Sequence, residues 1–81
     1  MAYTVKNFKT KKELKDAVKF FQEHGAGEDL AQQLGLHAFS PGPFPVMQDG
    51  RGTIEGPQAP APHRWYAAVE LRGGIVVKVT G

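Results

Sequence analysis

The chain has 81 residues, ten Lys or Arg against eight Asp or Glu for a net charge of +2, and no cysteine. That length fits one domain over residues 1–81, of a size that buries only about 60% of the surface its unfolded chain exposes. A disulfide framework and thiolate metal sites are excluded, and 41% hydrophobic with 22% charged residues is globular rather than disordered composition.

Met1 to Phe8 lacks the apolar core of a secretory leader, and no apolar run approaches the roughly 18 residues of a membrane span. The expected location is therefore the cytoplasm, with no membrane partner. Lys6, Lys9, Lys11, Lys12, Lys15 and Lys19 fall before residue 20 against only Glu13 and Asp16, whereas the remainder is net acidic. The asymmetry points to the N-terminal part as the region that would meet an anion.

In chain order, Tyr3-Thr4-Val5-Lys6 reads as a short edge strand, its lysine discouraging further pairing. Thr10-Lys11-Lys12-Glu13 is a capping box: the Thr10 hydroxyl accepts from the Glu13 N–H, and the Glu13 carboxylate is expected to accept from the Thr10 N–H. Leu14, Ala17, Val18 and Phe21 then follow at helical spacing, which predicts a main helix over Thr10–His24 closed by Gly25. On it, Lys12–Asp16 and Lys19–Glu23 are expected i,i+4 pairs. A shorter helix is predicted over Gly27–Leu34, with Glu28 and Asp29 in its first turn and Gly35 at its end.

Leu36 to Phe39 is a candidate strand. Ser40 to Pro45 alternates prolines and cannot be the interior of a regular element. Asp49-Gly50 signals a turn, and Gly52 to Glu55 a short strand. Gly56 to His63 carries Pro57, Pro60 and Pro62 and is expected to run extended, near polyproline II. Pro57-x-x-Pro60 fits the minimal PxxP ligand pattern, but a stiff connection between strands explains it more cheaply.

Trp65 to Thr80 reads as a β-hairpin. Trp65, Ala67, Val69 and Leu71 alternate on one strand, and Ile75, Val77 and Val79 on the other. A regular ladder from a two-residue Gly73-Gly74 turn mixes these faces. A three-residue Arg72-Gly73-Gly74 loop instead pairs Leu71 with Ile75, Val69 with Val77 and Ala67 with Val79, with Gly74 left-handed in a G1 bulge. That register sends Trp65 inward and leaves Tyr66, Ala68, Glu70, Val76 and Lys78 on the opposite face.

Reactive chemistry finds little support. His24, His37 and His63 are scattered without metal-ligand spacing, and Ser40 lacks a nucleophile-elbow context. No catalysis and no cofactor or metal is expected. Two surfaces remain. His63-Arg64-Trp65-Tyr66 sets a cation beside large aromatics, so Tyr66, Arg64, His63 and the off-stripe Phe20 are candidate protein-contact residues. The alternative is a phosphate-contacting row of Lys6, Lys9, Lys11 and Lys15, weighed against a merely solvated helix face.

At Glu55-Gly56-Pro57, Pro62 to Ala67 and Val76 to Val79, and at Thr10 to Lys12 and Pro41 to Phe44, the chain resembles a family of small uncharacterised bacteriophage and prophage proteins. Phe21 to Leu36 is an expansion of that pattern. The resemblance implies an accessory protein acting inside a bacterium by binding, its partner a host or virion component.

The resulting expectation is an α+β fold: a small antiparallel sheet of three to four strands, one main helix on one face, and a C-terminal hairpin. Function is expected to be a non-catalytic protein-interaction module, with nucleic-acid binding through the basic helix face as the alternative. An edge-strand homo-oligomer is a third arrangement to test.

Overall fold

The computed structural model describes residues 2–40, 48–58 and 61–81. The proline turn expected at residues 40–45 lies almost wholly outside them, as does Pro60 of the PxxP pattern. The elements are β1 (Tyr3–Thr4), α1 (Lys11–Glu23), α2 (Glu28–Leu34), β2 (Ala38–Phe39), β3 (Gly50–Gly56), β4 (Trp65–Arg72) and β5 (Ile75–Val79). The fold is α+β, with an antiparallel sheet in the order β3-β4-β5 and a two-stranded antiparallel sheet, β1-β2.

Backbone bonds join the two sheets. Val76 N–H donates to the Leu36 carbonyl at 3.0 Å, and Ala38 N–H to that of Gly74 at 2.8 Å. At the far side, Glu55 N–H donates to the Ala2 carbonyl at 2.9 Å, so β1 also touches the outer edge of β3. The expected Tyr3–Lys6 strand is shorter than its sequence pattern, because Val5 and Lys6 bond His37 and Gly35 in the chain leaving α2.

The main helix starts as its sequence dictates. Glu13 N–H donates to Thr10 Oγ1 at 3.2 Å, but the Glu13 carboxylate accepts from Lys9 N–H at 2.9 Å rather than from Thr10. The reciprocal half of the capping box is thus displaced by one residue. Leu14, Val18 and Phe21 are buried, each contributing about 1.5–3 kcal/mol by leaving water. They meet Ile54, Trp65, Ala67, Val69, Leu71 and Val76 in one cluster with Phe8, Ala31 and Leu36. In α2 the fully buried residue is Ala31, with Leu30 and Leu34 packed at the margin of the core. No helix among the described residues is long and apolar enough to cross a membrane.

The C-terminal hairpin corrects the expected register. Its turn is the two-residue Gly73-Gly74, both left-handed at φ +58° and +76°, and Arg72 pairs with Ile75 and Leu71 with Val76. Beyond that, Glu70 pairs with Lys78 and Val69 with Val79, leaving Val77 as an extra residue. Two adjacent positive-φ glycines suit the primed turn whose twist matches a hairpin, and the bulge restores the apolar alternation further along. Val76 is therefore buried at 0% exposure, not on the polar face, while Ile75, Val77 and Val79 are half-buried.

Gly56 to His63 is the other correction. Its described residues do not run extended: Ala61 N–H donates to the Gln58 carbonyl at 3.2 Å, and Arg64 N–H to that of Gly56 at 2.7 Å. Gly56 opposes Trp65 in the ladder, and a Cβ on Gly56 would clash with the indole ring. Trp65 is buried as expected, and its Nε1–H donates to the Phe8 carbonyl at 3.2 Å.

Val76→Ala removes two buried methyl groups and is expected to cost about 2 kcal/mol. Val77→Ala, at the half-buried bulge, should cost less than half of that in urea unfolding; the three-residue loop predicts the reverse order.

Candidate functional site

Strand pairing sorts the β3–β4–β5 sheet into two faces. Glu55 opposes Tyr66, Thr53 opposes Ala68, and Arg51 opposes Glu70, which in turn opposes Lys78. Directly opposed residues share a face, so these seven form one surface, and α1 packs on the other through Trp65, Ala67, Val69 and Leu71. Tyr66 stands on the open face at 58% exposure. Arg64 is also exposed, at the entrance to β4.

Among the described residues, the edge of β3 next to this face is open over part of its length. Glu55 N–H points away from β4, to Ala2. Ala68, opposite Thr53, turns its carbonyl toward Thr80 at the β5 side, at 2.7 Å. Antiparallel ladders alternate, so Thr53 and Arg51 direct their N–H and C=O groups outward, like Glu55. Both residues are exposed, and no backbone partner takes these groups among the described residues. Ala2 covers only the Glu55 end.

His63 is not a free contact residue. Its Nε2 lies 2.6 Å from the Tyr3 hydroxyl, and its Nδ1 lies 3.3 Å from Glu55 Oε2. The direction of the Tyr3–His63 hydrogen bond follows the imidazole tautomer, since both the hydroxyl and Nε2 can donate or accept. Glu55 Oε2 is buried and within ion-pair distance, yet it makes no hydrogen bond. The Tyr3 ring also sits edge-on to His63 at 5.4 Å and tilted on Phe39 at 5.9 Å. With Tyr3 only 3% exposed, the row Tyr3–His63–Glu55 acts as a clasp tying β1 and the β3–β4 connection to β3. Gln58 strengthens it, its N–H donating to Asn7 Oδ1 at 2.8 Å and its side-chain amide to the Thr4 carbonyl.

Phe20 is 46% exposed, but it lies on α1, away from the open sheet face. Its ring stacks on His24 at 3.9 Å, while His24 Nδ1–H donates to the Phe20 carbonyl at 2.8 Å. Tyr66 and Phe20 therefore belong to different surfaces. The remaining histidine, His37, borders a shallow cleft of about 420 Å³ with Val5, Glu28, Gln32 and Gly35. Among the described residues no group of histidine and carboxylate side chains has the arrangement of a metal site.

The lysines divide too. Lys6 lies over the Phe8 ring, 5.3 Å from its centre, and Lys9 precedes the helix. Lys11 is half-buried on α1, and Lys15 borders a groove of about 470 Å³ between α1 and β5. That groove also contains Lys19 and Lys78, which did not belong to the expected row of four. Of the expected helical ion pairs, Lys12–Asp16 forms at 3.7 Å and Lys19–Glu23 does not, among the described residues. The periodicity of α1 carries Lys19, but only tertiary packing brings in Lys78, and only the ladder reveals the β3 edge.

Tyr3→Phe removes the hydroxyl on His63 and should cost about 1 kcal/mol in chemical denaturation. His63→Ala should cost more, since it also removes the ring packed between Tyr3 and Glu55; equal stability for all three proteins would contradict the clasp.

No family model, curated protein or solved structure matches the chain, and the site is read from its geometry.

Proposed function

We propose that the protein is a non-catalytic interaction module that takes an extended segment of a protein partner onto the free edge of β3. The observation that carries this reading is the outward-facing backbone of Arg51 and Thr53 beside a sheet face that no helix covers among the described residues. Strand addition gains affinity from main-chain hydrogen bonds and specificity from alternate side chains. Here the side chains facing the added strand on the open surface are Arg51 and Thr53, with Tyr66 one strand further in. Tyrosine and arginine are enriched where interface energy concentrates, and Arg64 supplies a second guanidinium at the end of the face.

Natural edges that avoid pairing are blunted by charged side chains, lysine above all, or by proline. Gly50 to Ile54 has no lysine or proline, and its one charged side chain is Arg51. The resemblance to phage accessory proteins supports a host or virion component inside a bacterium as the partner.

Immobilised protein incubated with bacterial lysate should capture a partner that Thr53→Pro loses. Proline there removes an outward N–H and no ladder bond, which edge strands tolerate. Tyr66→Ala should weaken capture at least tenfold, while Phe20→Ala on α1 should leave it intact. Unchanged capture by folded Thr53→Pro would contradict strand addition, and loss with Phe20→Ala alone would move the interface to the helix.

A further inference from the structure

The groove between α1 and β5 brings together cations that lie more than fifty residues apart in the chain. Lys15, Lys19 and Gln22 from α1 form one wall, Lys78 and Val79 from β5 the other, and buried Val18 contributes to the floor. Gln22 Nε2 donates to the Val77 carbonyl at 2.8 Å, fixing the helix against the strand edge. The three lysines are exposed. None has a carboxylate within ion-pair distance among the described residues, although Glu70 is the cross-strand neighbour of Lys78. Lys12 differs: Asp16 lies within ion-pair distance of it, at 3.7 Å.

We infer that this groove is a binding site for a single phosphodiester strand, contacted through its phosphates and without base recognition. Lys15 and Lys19 stand one four-residue step apart, which spaces them about 6 Å along the helix axis. That rise is comparable to the separation of adjacent phosphates on one strand, and Lys78 flanks the same path from β5. A row of uncompensated ammonium groups along a channel matches a linear polyanion better than a single anion, which needs one convergent point. The apolar lining is Val18 and Val79, and among the described residues the groove has no aromatic side chain or guanidinium for base contact, so the site should be indifferent to sequence. The inference is independent of the β3 edge, since it uses α1 and β5, the strand at the other edge of the sheet.

Fluorescence anisotropy with a fluorescein-labelled oligothymidylate tests it. Three lysine–phosphate contacts predict a log–log salt slope of about −2 for a single strand. Affinity should then fall roughly a hundredfold between 20 and 200 mM salt. Lys78→Ala should reduce the slope to about −1.4, Lys15→Ala/Lys19→Ala/Lys78→Ala should abolish binding, and Lys12→Ala should change nothing. Oligodeoxyadenylate should bind within about threefold of oligothymidylate, consistent with backbone-dominated affinity. The inference is overturned by no binding at 20 mM salt, by binding that survives the triple variant, or by loss with Lys6→Ala/Lys9→Ala alone. Binding to anionic phospholipid vesicles with none to the oligonucleotide would overturn it as well.

Discussion

Val77, the extra residue in β5, allows two local demands to coexist in one hairpin. Gly73-Gly74 favours a two-residue primed turn, because both positions adopt positive φ and the twist suits the strands. The apolar alternation of Trp65, Ala67, Val69 and Leu71 demands a partner strand whose apolar residues point the same way. A regular ladder satisfies the turn at the expense of the core. One unpaired residue satisfies both: Val76 enters the core opposite Leu71, and beyond the bulge Val79 stands opposite Val69. A bulge also bends its strand and increases the twist, and the start of β5 meets Leu36 and Ala38 while its later edge accepts Gln22 of α1.

From this follows a division between stability and contact. The inward face of β4 is spent on the core, with Trp65 closing over Gly56 and donating to the Phe8 carbonyl. The most conspicuous aromatic in the chain is structural. Its neighbour Tyr66 faces the other way, on a surface that no described helix covers. Because Ala2 and Glu55 join at only one point, the rest of the β3 edge has no backbone partner among the described residues. The two proposed contact regions, the β3 edge and the α1–β5 groove, lie where the ladder stops rather than where the core is densest.

What was legible in the sequence was local. The Thr10 cap, the apolar stripe of α1, the glycine-bounded α2, the inward placement of Trp65 and the strand character of β4 each depend on residues within a turn or two of one another. The hairpin register was not legible, because a regular ladder from Gly73-Gly74 mixes the faces and a single residue inserted beyond the turn inverts which of Val76 and Val77 is buried. The clasp was hidden for a different reason. Tyr3 and His63 are 60 residues apart, and nothing in their local patterns distinguishes a clasp from two unrelated surface groups. The candidate contact residues were therefore divided by the fold: Tyr66 and Arg64 stayed at the surface, His63 was drawn into the clasp, and Phe20 went to a separate side. Likewise the lysine row gained Lys78 only through the packing of α1 on β5.

The most direct measurement of this account is a set of cross-strand backbone nuclear Overhauser contacts in isotopically labelled protein. The bulged hairpin predicts contacts for Leu71–Val76, Glu70–Lys78 and Val69–Val79, with Val77 lacking a directly opposed partner. Contacts for Leu71–Ile75 and Val69–Val77 in their place would contradict it, returning Val76 to the outer face and removing the basis for the arrangement of β5 against α1.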